Sequence, residues 1–253
     1  MIREKLIDKD VGDPRKFRWR SHEVSRIEAL SDAVFAFAVT LLVVALEVPN
    51  TYDELMEVMR GFGAFAICFA LLFVVWFNQY KFFRRYGLND NLTIVINAVL
   101  LFVVLFYVYP LKFVFTFLVD KFTGGHGEVR LPNGTVEGMV ESADQVANLM
   151  IIFGVGYVAV FGVFALLYWR AYRKRAELEL TELEAFDTRT DIRESLLNVC
   201  IGLISLAVAI LGGGRFAGIS GMIYMLTPLV MTVHGTWNGR RRRKVEKLLM
   251  AEA

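Results

Sequence analysis

Apolar residues come in six long blocks along this chain, at roughly residues 29–48, 62–83, 92–111, 147–168, 196–211 and 216–237. Each approaches the length of about 20 residues that a helix needs to cross a bilayer, the fifth only if its glycines extend it. A large soluble helical bundle would instead show a polar face on most of its helices. The pattern therefore predicts an all-α, polytopic membrane protein with six transmembrane helices and no soluble domain. One membrane domain, residues 29–238, holds every span; residues 1–28 precede it and a basic tail, residues 239–253, follows it. The chain is 56% hydrophobic with a mean hydropathy of +0.48, too apolar for an ordinary soluble domain.

The first block opens on ionisable groups. Arg26-Ile-Glu-Ala-Leu30-Ser31-Asp32 runs directly into Ala33-Val-Phe-Ala-Phe37-Ala-Val-Thr40-Leu41-Leu-Val-Val44. A carboxylate at the threshold of a membrane helix is expensive and marks function or a specific buried partnership. At about 100° per residue, Ala33, Thr40, Leu41 and Val44 fall within about 60° of Phe37 and form one stripe. Ser31 and Asp32 lie about 120–140° away, on the far side. They therefore need partners from neighbouring helices or another subunit. Arg26 is six residues from Asp32, whereas intrahelical neighbours sit three or four apart.

A net charge of +2 conceals a strong asymmetry. Basic residues cluster within residues 3–26, at Lys81, Arg84 and Arg85, at Arg170, Arg173, Lys174 and Arg175, and within residues 240–244. In a six-span topology these fall on one side, which the positive-inside rule makes cytoplasmic, with both termini inside. The opposite loops carry only Arg60, Lys112, Lys121, Arg130 and Arg215, and Lys112 is expected to snorkel to the outer interface. No signal peptide is expected, because a long charged segment precedes the first apolar run. The expected location is a plasma membrane. The basic run at 240–244 directly follows a span, so it reads as a contact with anionic lipid headgroups and not with nucleic acid.

Chemistry other than transport has little to build on. Cys68 and Cys200 lie inside apolar spans, and His22, His126 and His234 lack metal-ligand spacing. With no nucleophile–base pair and no phosphate-binding glycine loop, the chain does not read as an enzyme and no catalytic residue, metal or cofactor is expected. Polar residues inside the spans share one depth: Asp32, Trp76, Asn78, Gln79, Asn97, Asn198, Thr232 and His234 fall in the cytoplasmic third. That fits either a buried hydrogen-bond network around Ser31 and Asp32 or simple wetting near helix ends. The loop with Asp53, Glu54 and Glu57 is either a cation-concentrating vestibule or a plain solvated loop. Leu178, Leu180, Leu183 and Phe186 recur at helical spacing, which extends the fourth and fifth helices as amphipathic turns below the membrane. Gly154-Val155-Gly156-Tyr157 imitates part of a carbonyl ion filter but lies mid-span, without the flanking Thr and Gly. Gly154, Gly156 and Gly162 read as close-packing positions, and Gly214 and Gly218 form a small-x-x-x-small pair.

Arg26-x-x-x-Leu30-Ser31-Asp32 resembles the Arg-x-x-x-Phe-Ser-Asp signature of the endosomal/lysosomal potassium channel family, in its six-helix bacterial branch. The rest of that helix, the block Trp76-Phe-Asn-Gln-Tyr-Lys-Phe-Phe, Asn97 and Pro110 are similar to the family too, over roughly the first half of the chain. Leu30 stands where the family usually has Phe, and Asn78 and Gln79 stand where it often has a histidine. The resemblance implies a homotetramer in the lipid bilayer, permeable to potassium ions, whose first helices meet around a central axis. Phe37, Leu41 and Val44 would then form apolar rings that gate by dewetting, and Thr40, the only hydroxyl on that face, would contribute selectivity without a carbonyl filter. Arg26, Ser31 and Asp32 would anchor the helix, with Trp76 and Asn97 as supports. Read from the residues alone, the stripe is also a packing surface with Thr40 bonded to an upstream carbonyl. The competing class, a secondary transporter or small exporter, would need polar groups at a midplane that is apolar here. A membrane scaffold without transport is a third reading.

Overall fold

Residues 17–21, 23–44, 51–123, 128–130 and 136–252 are described by the computed structural model of the protein. Helices α1 (Arg26–Val44), α2 (Tyr52–Tyr86), α3 (Asn91–Phe122), α4 (Ala143–Arg173) and α5 (Glu182–Gly212) follow in order. A 3-10 turn (Gly213–Phe216), α6 (Ala217–Ile223) and α7 (Leu226–Glu252) complete the described chain. Between α3 and α4, strands β1 (Glu128–Arg130) and β2 (Val136–Gly138) pair antiparallel, Val129 opposite Glu137. The side chain of Val44, those of Asp53, Glu54 and Glu57, and residues His22 and His126 lie outside the described set.

Local chemistry sets the helix ends. Asp90 caps α3 by accepting the Thr93 N–H, and Ser142 caps α4 by accepting the Gln145 N–H at 3.2 Å. Thr181 and Glu184 close a reciprocal capping box on α5. Gly87 and Gly213 follow α2 and α5 at positive φ, 58° and 52°, where a side chain is resisted. The amphipathic extensions take the form of α4 running to Arg173 and α5 starting at Glu182, with Leu183 buried and Leu178 and Leu180 packed on the core.

The sixth apolar block is not one helix. The break at Tyr224–Met225 follows from Pro228, which has no N–H for the Tyr224 carbonyl and clashes with it in a continuous helix. That carbonyl accepts the Thr227 N–H instead, at 3.1 Å. The chain has already reversed by then, since Ser205 meets Ser220, Asn198 meets Met231 and Asp187 meets Arg242. That order makes α5 and α7 antiparallel.

α1 packs in the angle between α2 and α3; α4 packs on α3 and most extensively on α5. The core holds Phe82, Phe83 and Tyr86 of α2, Leu100 and Val104 of α3, and Leu167 and Tyr168 of α4. Outward faces are apolar as well: Phe102 and Phe106 of α3 are 70% and 69% exposed. The stretches Gly61–Tyr86, Asn91–Phe122 and Ala143–Arg173 are long and apolar enough to cross a membrane, and so is Glu182–Leu249, which holds α5 to α7 and reverses within itself. Hydrocarbon outside as well as inside is the mark of a bundle whose solvent is lipid.

Candidate functional site

α1 carries two unlike faces. Glu28, Ser31, Phe35, Ala38 and Leu42, at three- and four-residue spacing, are buried. The opposite side is open: Ala29, Leu30, Ala33, Ala36, Phe37, Thr40 and Val43 are exposed, Leu30 and Phe37 at 60% and 55%. Of the expected stripe, Phe37 and Thr40 lie on this free face. Leu41 sits at its margin, half-buried against the core. The free face centres on Ala33, Ala36 and Thr40 and not on Phe37. Leu30, where the resemblance expects Phe, points outward, so the exchange disturbs no packing inside the subunit. Thr40 Oγ1 donates to the Ala36 carbonyl at 2.9 Å. Its single hydrogen is thereby used and its oxygen keeps acceptor capacity toward the open side.

The buried side is held by a short polar relay. Gln79 Nε2 donates to Asn97 Oδ1 at 3.1 Å, Asn97 Nδ2 to Ser31 Oγ at 3.0 Å, and Ser31 Oγ to the Ile27 carbonyl at 2.8 Å. Gln79, Asn97 and Ser31 are almost wholly buried, so each missing partner would leave a desolvated polar atom. Asp32 turns away from this relay and accepts the indole N–H of Trp76 at 2.7 Å. Asp32 itself is exposed on the subunit. An apolar groove of about 290 Å³ opens beside it, between Phe35, Ala36 and Val39 of α1 and Phe69, Phe73 and Trp76 of α2. The structure thus brings Ser31 to Asn97 and Asp32 to Trp76. It does not bring Arg26 to either: Arg26 is exposed and bonds to none of the described residues.

Two residues that steady α1, Lys112 directly and Gln79 through Asn97, escaped the sequence reading. Gln79 could be noticed only as one of several polar residues at one depth, with nothing to single it out. Lys112 is partly buried, and its Nζ donates to the Leu42 carbonyl of α1 at 2.9 Å. The shared-depth residues do not form one network. Asn198 belongs to a separate set in which Tyr157 donates to it at 2.6 Å, and among the described residues Asn78 bonds only within its own helix. Gly154 to Tyr157 lie inside α4. A Cβ on Gly156 would sit 2.1 Å from the Tyr107 ring, whose hydroxyl reaches the Phe153 carbonyl at 2.8 Å, so this glycine is a helix-packing position. Gly162 and Gly218 meet nothing within 4 Å inside the subunit.

At the other end of α1 several basic residues gather and are paired. Arg20 NH2 meets Glu184 at 2.6 Å, Arg85 meets Asp191 at 2.9 Å, and Arg242 meets Asp187 at 2.9 Å. Arg170 binds Asp90 and, through Nε, the Thr93 hydroxyl at 3.1 Å. Phe17 lies beneath the Arg85 guanidinium and edge-on to Tyr86. The segment leading into α1 is therefore tied to α2 and α5 before the helix starts. Among the described residues no cluster of His, Cys, Asp or Glu could hold a metal ion.

An all-helical bundle with apolar outer walls, one helix locked on its polar side and bare on the other, defines a polytopic membrane protein. The family model for the endosomal/lysosomal potassium channel TMEM175 matches residues 26–107. A potassium channel from Marivirga tractuosa is 39% identical over 244 residues, 95% of this chain and 98% of that protein. A solved structure of the potassium channel MtTMEM175, a threonine-to-alanine variant bound to a nanobody–MBP fusion, superposes with a TM-score of 0.77 at 40% identity. It covers 90% of this chain and 98% of its own. A lysosomal potassium-selective channel TMEM175 homologue from Chamaesiphon minutus shares the fold, with a TM-score of 0.54 at 22% identity over 85% of this chain and 99% of that one. The chain belongs to the bacterial TMEM175 family of potassium channels.

Proposed function

We propose that the protein is a potassium-permeable cation channel of a bacterial inner membrane, a homotetramer of six-pass subunits with both termini in the cytoplasm. Residues 1–28 form the cytoplasmic N-terminal segment, residues 29–238 the channel domain and residues 239–253 the basic cytoplasmic tail. Copies of α1 surround the pore. Phe37, Leu41 and Val44 make the hydrophobic constriction, and Thr40 supplies the oxygen that discriminates among ions without a carbonyl filter. Ser31 and Asp32 anchor the helix, supported by Asn97 and Trp76, and Arg26, which has no partner among the described residues of its own subunit, anchors it to a neighbouring copy.

The observation that carries this reading is the bare face of α1. Leu30, Ala33, Ala36, Phe37, Thr40 and Val43 are exposed on a helix whose opposite side is fixed by a buried relay. Such a face meets either lipid or other copies of the chain. Exposed Arg26 and Asp32 on the same helix disfavour lipid, where an ionised group is costly. Potassium surrenders its hydration more readily than sodium, so a weak hydroxyl ring in a dry constriction favours it.

The test is reconstitution of the purified protein in planar bilayers under bi-ionic potassium and sodium, with subunit number read by native mass spectrometry. The expected result is a passive current whose reversal potential favours potassium, carried by a tetramer. Saturable exchange that requires a counter-substrate, with no passive current, would overturn the channel in favour of an exporter.

A further inference from the structure

Lys112 places a cation inside an apolar helix, α3, where an ionised group is expensive and persists only with a use. No carboxylate lies within ion-pair distance of it among the described residues; its recorded partner is the Leu42 carbonyl of α1, 2.9 Å from Nζ. Leu42 is fully buried and stands two residues beyond Thr40.

α3 grips α1 at a second place, where Asn97 donates to Ser31. Both partners advance together along the chain, Ser31 with Asn97 and Leu42 with Lys112, so α1 and α3 run parallel and the grips lie near opposite ends of α1. Between them the contacts are apolar: Ala38 of α1, and Leu100, Leu101 and Val104 of α3. Apolar contact has no direction and lets a helix rotate about its axis, whereas hydrogen bonds at both ends do not. A cation on a carbonyl in the last described turn of α1 also complements the negative end of the helix dipole.

We propose that Lys112 is a positioning residue for ion selection: by latching the Leu42 carbonyl it fixes the rotation of α1 that turns Thr40 to the open face and Ala38 to the core. The inference rests on α1 lining the pore, and the experiment separates the two. In a Cys68→Ala, Cys200→Ser background, Thr40→Cys and Ala38→Cys are each modified by a small water-soluble thiol reagent in reconstituted protein. With Lys112 intact, Thr40→Cys reacts and Ala38→Cys does not.

In Lys112→Met, which keeps the apolar stem and loses the donor, the ratio of modification rates at 40 over 38 falls about tenfold, the scale a charged hydrogen bond controls. The potassium-over-sodium reversal potential of the same variant, made without the cysteine probes, moves toward zero. Lys112→Arg, whose guanidinium reaches the same carbonyl, keeps both readouts. Should Lys112→Met not assemble, Lys112→Gln, shorter by an atom and uncharged, carries the test with a smaller fall in the ratio. A reactive Thr40→Cys whose ratio is unchanged in the Lys112 variant that assembles would overturn the latch alone. An unreactive Thr40→Cys with Lys112 intact would overturn the pore-lining reading and the latch with it.

Discussion

The Thr40 hydroxyl is already satisfied as a donor by the Ala36 carbonyl at 2.9 Å, so what it offers an ion is its oxygen. Thr40→Val keeps the β-branched shape and removes that oxygen, separating chemistry from packing. The variant is expected to assemble and conduct while its bi-ionic reversal potential shifts toward zero; an unshifted potential in an assembled channel would remove Thr40 from ion selection. Asn97 supports a prediction about stability. Asn97→Leu orphans the buried Gln79 amide, which costs roughly 1–3 kcal/mol. It should lower the thermal midpoint of the detergent-solubilised protein, and adding Gln79→Leu should recover part of the loss because the orphan is then gone as well. A double variant as unstable as the sum of two independent losses would mean the relay does not act as a unit. Asp32 is a milder case than a buried ion pair. Its partner is the neutral indole of Trp76, and Asp32→Asn retains an acceptor for it. These residues show how far the sequence speaks. Ser31 and Asp32 stood out because polar groups in an apolar block are conspicuous, and helical geometry pointed them away from Phe37. Gln79 and Lys112 did not, because which polar residue meets which carbonyl depends on how three helices rotate against one another.

At the scale of elements, most helices were legible from length and apolar runs alone, since a lipid-facing helix has no polar face to confuse the count. Their ends were not, because capping residues and amphipathic extensions carry α2, α3, α4 and α5 past the apolar blocks. The sixth block failed for a different reason: average hydropathy does not register Pro228. One helix end also yields a pH prediction. Asp90 joins α2 to α3, caps α3 and is held by Arg170 of α4. Partial burial on its own raises this carboxyl, but hydrogen bonds from Arg170 and Thr93 outweigh that and bring it down from 3.8 to about 2. A depressed value in the folded protein means stabilisation that is complete above about pH 4 and is lost as pH falls through about 2. The thermal midpoint should therefore decline over that interval. Asp90→Asn should start lower at neutral pH and show a shallower acid limb; an acid limb identical to the parent's would assign the loss to other carboxylates.

The whole molecule has apolar surface of two kinds, and they call for different neighbours. On α3 the outward residues Phe102 and Phe106 stand on a helix face without charge, which suits lipid. On α1 the bare face shares its helix with exposed Asp32 and Arg26, and the adjoining face of α2 stacks Phe69, Phe73 and Phe77 beside the open groove. A groove with a carboxylate at its edge is poorly served by acyl chains and better served by another subunit. If α1 helices of neighbouring subunits converge, thiols at Phe37 approach one another, whereas thiols at Phe102 face the bilayer on opposite sides of the assembly. In a Cys68→Ala, Cys200→Ser background, Phe37→Cys treated in membranes with a short bis-maleimide should give covalent dimers on a denaturing gel, and nothing larger, because each subunit brings one thiol. Phe102→Cys should remain monomeric under the same treatment. Cross-linking at 102 with none at 37 would place α3 at the subunit contact and leave α1 facing lipid, and the pore would then have to be sought elsewhere in the bundle.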